Sequence, residues 1–255
     1  MLRKLLKYDL RANLRIFAFI WPAMLVFALV DRLVIGLDNG TRASEIAVMM
    51  ITTLFVFVMI GAFVFTIIIT VIRFYGGLLR DEGYLMFTLP AKPWQLILSK
   101  LLTAMITFVG TTLVCACSVL LLVIGMEDVE FIVSGALTEL FARDGVVLFA
   151  VLLGVLYVVS VTVGILQIYF SCAIGHLFRR MRIFFSILAF YAINTTLQTF
   201  SMITLMLDTS KYFNALVTIN DVNAVLLVAI GLSVLLGAVF FFGSERILHK
   251  RLNLE

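Results

Sequence analysis

Residues Ile46–Ile72 read IAVMMITTLFVFVMIGAFVFTIIITVI, an unbroken run without a charged side chain or a proline. At 1.5 Å per residue a helix over this run is about 40 Å long, more than the roughly 30 Å of a bilayer's hydrocarbon core. A strand of a transmembrane barrel would instead alternate polar and apolar residues over about ten positions. The run therefore predicts a membrane-spanning helix. Five more of the same kind flank it, at Ile16–Gly36, Leu96–Gly125, Val146–Ala173, Ile183–Leu207 and Val222–Gly243. Composition agrees: 63% of the residues are hydrophobic and 13% charged, with a mean hydropathy of +1.17. Soluble domains run about 45–50% apolar and about 25% charged. The expected fold class is an all-α integral membrane protein with six transmembrane helices.

Charge gives the orientation, because Arg and Lys near span ends are retained on the cytoplasmic side. Fifteen of the nineteen basic residues fall on the side that holds both termini, in the groups around Arg3–Arg15, Arg73–Lys100, Arg179–Arg182 and Arg246–Arg251. Ten of the fifteen acidic residues lie on the other side or in the outer half of the first span, five of them between Glu127 and Asp144. Both termini are expected in the cytoplasm, in a multi-pass protein of the cell membrane. This sorting accounts for the net charge of +4 and a pI near 9.1 without a nucleic-acid partner.

Ahead of the first span, Leu2, Leu5, Leu6 and Leu10 recur at helical spacing while Lys4, Lys7, Arg11 and Arg15 occupy another face. Residues 1–15 are therefore expected to form an amphipathic helix along the anionic cytoplasmic leaflet, ahead of a six-span domain over 16–255. A plain positive-inside anchor is the alternative. The following apolar run is longer than a signal-peptide core and carries no small-residue cleavage site, so retention of the first span is expected.

The connector between the second and third spans carries Asp81-Glu82-Gly83-Tyr84-Leu85-Met86-Phe87-Thr88-Leu89-Pro90, followed by Trp94-Gln95-Leu96 and Ser99-Lys100-Leu101. Gly83 permits a tight turn, Pro90 ends local helix, and Tyr84 to Phe87 form an apolar cluster that a short loop cannot bury by itself. Asp81 and Glu82 would sit at a helix N-terminus, where negative charge is favoured. A partner surface or the lipid headgroups would cover the cluster. The string from Arg73 to Leu102 resembles the cytoplasmic loop of ABC-2 type permeases of the Gram-positive branch, type V exporter-like membrane subunits of ATP-binding-cassette transporters. The rest of the chain agrees with that family in architecture alone. The resemblance implies an elbow helix at the N-terminus. It also implies that Asp81, Glu82, Gly83, Tyr84, Leu85, Phe87 and Pro90 form a coupling helix docking on a separate ATPase subunit. That subunit would hold the ATP and Mg, and a second permease subunit, identical or homologous, would complete the assembly. The implied cargo is an amphipathic or lipophilic peptide, drug or lipid.

Consistent with a separate motor, the chain contains no Gly-x-x-x-x-Gly-Lys-Ser/Thr phosphate loop and no connector long enough for an ATPase domain. No cofactor of its own, no metal site and no catalytic constellation is expected. His176 and His249 lie beside basic residues at span ends. Cys115, Cys117 and Cys172 lie in apolar runs, where free Cys behaves as a small hydrophobe. No relay of acidic residues or histidines crosses the membrane centre, which argues against an ion-coupled carrier. Asp31 and Arg32, near the outer end of the first span, are expected to reach the headgroups. Gln167, Asn194 and Gln198 either line a pathway or hydrogen-bond between helices, the latter two sharing a face. Residues 129–141 suggest an amphipathic helix on the outer face. A non-transporting sensor or assembly subunit, and an ATP-independent carrier or channel, are the alternative classes.

Overall fold

The computed structural model describes residues 2–37, 39–79, 93–123, 145–178, 181–215 and 219–251. All regular structure among them is helical: α1 (Leu2–Gly36), α2 (Arg42–Phe74), a π-helical turn (Tyr75–Leu79), α3 (Pro93–Val123), α4 (Val146–His176), α5 (Arg182–Ala215) and α6 (Ile219–Arg251). Six helices are long and apolar enough to cross a membrane. Helix is the expected solution, since a segment in hydrocarbon must satisfy its backbone N–H and C=O groups internally. The basic segment expected to lie along the leaflet continues into the span as one 35-residue helix, α1. The expected outer-face helix over 129–141 lies outside the described residues.

The chain divides into two compact units, one of Arg3–Thr70 with Leu102–Ala142 and one of Val71–Leu101 with Arg143–Glu255. In the first unit, α1 and α2 form a hairpin. Gly40 turns the chain with φ +66°, a left-handed conformation that costs glycine nothing. Thr41 then caps α2: its Oγ1 accepts from the Ser44 N–H at 3.3 Å, and Ser44 Oγ accepts from the Thr41 N–H at 3.1 Å. This reciprocal pairing satisfies donors that a helix start leaves free. Met24, Ala62 and Cys115 form the centre of the unit's core, surrounded by Ile20, Val58, Met59, Phe63 and Val114. Phe17 is fully buried against Trp21 and Phe65, with ring centroids 5.6 and 6.3 Å apart.

A stripe with four-residue spacing runs down α3: Ser99, Thr103, Thr107, Thr111 and Cys115 are all buried, and Ser118 continues it. Within the first unit, Thr107 and Thr111 each donate to the carbonyl four residues earlier, as do Thr66 on α2 and Ser118. Small side chains that bond their own helix let backbones approach closely in lipid, where hydrophobicity offers no drive for helices to associate.

In the second unit, Gly237, Phe240, Ser244 and Leu248 make the buried edge of α6. Gly237 meets Val163, and Phe170 stacks on Phe240 at 5.6 Å while lying over Gly243, where a Cβ would come within 2.6 Å of the Phe170 ring. Gly237 thus marks a helix contact, whereas Gly164 of α4 faces open space among the described residues. Met181, between α4 and α5, is the one described non-glycine residue with a positive φ, at 61°.

Candidate functional site

The connector residues Asp81, Glu82, Gly83, Tyr84, Leu85, Phe87 and Pro90 lie outside the described residues, but both of its flanks are described. Phe74, the last residue of α2, is fully buried and stacks on Tyr169 of α4 with centroids 3.9 Å apart and planes within 8°. The next residue, Tyr75, places its ring 6.2 Å from that of His176. From Tyr75 the chain loosens into the π-helical turn, Tyr-Gly-Gly-Leu-Leu. Such turns are rare and recur at functional sites, where an extra residue is accommodated without ending the helix. The buried Gly77 lies against the side chain of Lys100 on α3: a Cβ there would sit 3.2 Å from Nζ. Descending and ascending flanks are therefore in contact across Gly77 and Lys100. Leu96, Ile97 and Leu101 are buried beside them on α3.

This base is tied onward to α5. Gly175 of α4 sits directly on the backbone of Ser186, where a Cβ would be 2.5 Å from the Ser186 nitrogen and 2.7 Å from its Cα. Arg182 Nη1 lies 3.2 Å from His176 Nε2, and Phe178 stacks on Phe185 at 4.0 Å. His176 thus stands between Tyr75 of the π-helical turn and Arg182 at the start of α5. No protein-family model, no curated protein and no solved structure matches the chain. The site rests on its own geometry.

The three polar residues expected within the spans are not joined. Gln167 is buried, with its Nε2 lacking a hydrogen-bond partner among the described residues, and its carbonyl accepts from Ser171 Oγ at 2.8 Å. Asn194 is half-buried and Gln198 exposed on α5. Cys115 and Cys172 are buried free thiols and Cys117 is an exposed one. No group of three metal-ligating side chains occurs among the described residues.

Two features of the first unit were not anticipated from the sequence. Asp31 does not reach toward headgroups: it is fully buried, takes a hydrogen bond on Oδ1 from Thr52 Oγ1 at 3.0 Å, and leaves Oδ2 without a partner among the described residues. Arg32 turns the other way and donates to the Leu121 carbonyl. Adjacent residues on a helix point about 100° apart, so neighbours in sequence need not share surroundings. The second feature is Trp21, whose Nε1 donates to Thr111 Oγ1 at 3.2 Å beside Gly110. The four-residue stripe on α3 is plain in the sequence and was the available sign of this seam.

Proposed function

We propose that the chain is the membrane-spanning subunit of an ATP-binding-cassette transporter of the ABC-2 type, an exporter driven by a separate ATPase subunit. The supporting observation is the footing of the Asp81–Pro90 connector. One flank is clamped by the Phe74–Tyr169 stack, and the other touches it through Lys100 against Gly77. A connector held at both ends moves with the helices it joins. Closure of an ATPase dimer, pressing on Tyr84, Leu85 and Phe87, would displace the end of α2 and carry α4 with it through the aromatic stack. The Gly175–Ser186 contact would hand the displacement to α5. Two such subunits would alternate access to an amphipathic or lipophilic cargo. On this reading ATP and Mg stay on the partner, and the termini and the connector face the cytoplasm at the cell membrane.

The test is affinity capture of tagged protein from its host in mild detergent, with wild type compared against a Tyr84→Ala, Leu85→Ala, Phe87→Ala triple variant. Wild type is expected to bring down a nucleotide-binding subunit and the equally folded variant to lose it. Capture of no ATPase by folded wild type would sink the proposal in favour of a sensor subunit or carrier.

A further inference from the structure

The hairpin of the first unit carries an open apolar groove of about 680 Å³. Phe19, Ala23 and Phe27 of α1 line it with Gly61 and Phe65 of α2, and Arg15 stands at one end. No lining residue is acidic, and no ion pair to Arg15 exists among the described residues. Ala23 and Gly61 give the groove its depth, the latter with nothing within 4 Å of where a Cβ would be.

Its dimensions select an occupant. Arg15 immediately precedes the apolar run Ile16–Gly36, whose length of about 31 Å matches the hydrocarbon core. The guanidinium therefore stands at headgroup level on the cytoplasmic side. From Arg15 to Phe27 the groove descends about 18 Å, little more than the thickness of one leaflet, about half of 30 Å. The groove is open along its side and lined by apolar groups over the depth of one leaflet, with one cation, Arg15, at its surface end, a pattern that matches the acyl chains and the phosphate of one lipid.

The geometry points to a site for one anionic phospholipid of the cytoplasmic leaflet, its phosphate held by Arg15 and its chains lying between α1 and α2. Guanidinium binds phosphate through paired charge-assisted hydrogen bonds, which a zwitterionic headgroup, with its own cation attached, satisfies less well. A basic residue at a membrane surface favours anionic lipid by about fivefold. The inference needs the orientation read from charge but not the transport proposal.

Protein is reconstituted in nanodiscs of equal dioleoyl-phosphatidylcholine and dioleoyl-phosphatidylglycerol, extracted gently, and its retained lipid counted by native mass spectrometry. Wild type is expected to retain one phosphatidylglycerol per chain, enriched at least about fivefold over phosphatidylcholine. Arg15→Gln should keep the lipid count and lose the enrichment, while Arg15→Lys preserves most of it. Gly61→Phe, which fills the groove, should lose the lipid altogether, and Gly154→Phe, at another open position, should lose nothing. Equal retention of the two lipids by wild type, or enrichment that survives Arg15→Gln, overturns the assignment. So does a Gly61→Phe variant that changes oligomeric state and keeps its lipid, which would make the groove a contact between copies.

Discussion

Replacing Gly175 with Ala adds one methyl group where α4 meets α5, and it meets first the Ser186 hydroxyl and then, behind it, the Ser186 backbone. The new Cβ would lie 2.5 Å from the Ser186 nitrogen and 2.7 Å from its Cα. Ordinary contact begins near 3.4 Å, so these atoms must retreat by about 0.9 and 0.7 Å. A side chain could rotate away, but a helix backbone moves only with its neighbours. Overpacking of this sort costs about 1–3 kcal/mol, and a collision with two backbone atoms belongs at the upper end. Alanine returns about 1 kcal/mol through its better helix propensity. The expected net loss is about 2 kcal/mol, roughly a thirtyfold shift toward the unfolded state. Equilibrium unfolding in mixed micelles with increasing denaturing detergent measures it. Gly154→Ala and Gly231→Ala are the controls, because neither meets an atom within 4 Å. Both should be more stable than wild type by up to about 1 kcal/mol, the propensity gain without the collision. If Gly175→Ala unfolds together with these controls, the close crossing of α4 and α5 is wrong, and with it the route from the connector to α5.

Four further outcomes follow from single contacts. Trp21→Phe removes the indole donor to Thr111 and should cost about 0.5–1.5 kcal/mol in the same assay, while Thr111→Val should add little to it in the double variant. Thr52→Val removes the one donor to the buried Asp31 found among the described residues and should cost about 1–3 kcal/mol; Thr53→Val, exposed and bonded to the Met49 carbonyl of its own helix, should be close to neutral. A double-mutant cycle of Phe74→Leu and Tyr169→Leu should show a coupling of about 0.5–1.5 kcal/mol, and additivity would argue against the stack. Reporter fusions at either terminus should be active only as cytoplasmic reporters, and a periplasm-type signal from either would reverse the charge-derived orientation.

The six helices were legible because hydropathy reports directly on the solvent, and the start of α4 at Val146 coincides with the start of its apolar run. The end of α1 at Gly36 coincides as well, while the remaining ends differ. Expected spans at Ile16–Gly36 and Val222–Gly243 lie inside helices that run Leu2–Gly36 and Ile219–Arg251. A helix continues past the hydrocarbon edge wherever propensity allows, so hydropathy marks the membrane and not the last hydrogen bond. Burial of Asp31 was illegible because it depends on which neighbour its face of α1 meets, here Thr52 across the hairpin. The π-helical turn at Tyr75–Leu79 has only its two glycines as a local sign, and those read equally well as a loop. Lys100 was visible in the Ser99-Lys100-Leu101 stretch, but its contact with Gly77 joins residues on two different helical segments, a relation that no local pattern encodes.

The threonine seam of the first unit has a mechanical implication. Thr66 and Thr111 bring their hydroxyl oxygens within 3.3 Å, yet each owns a single proton and has a nearer acceptor in its own helix, Ala62 O at 2.7 Å and Thr107 O at 2.9 Å. Each hydroxyl thus has a shorter bond within its own helix and shares one longer bond across the seam. Sliding α2 along α3 by a fraction of an ångström stretches only that longer bond and leaves the two shorter ones intact, so the joint yields easily at this point, and its firmer restraint is the indole of Trp21, which donates to Thr111.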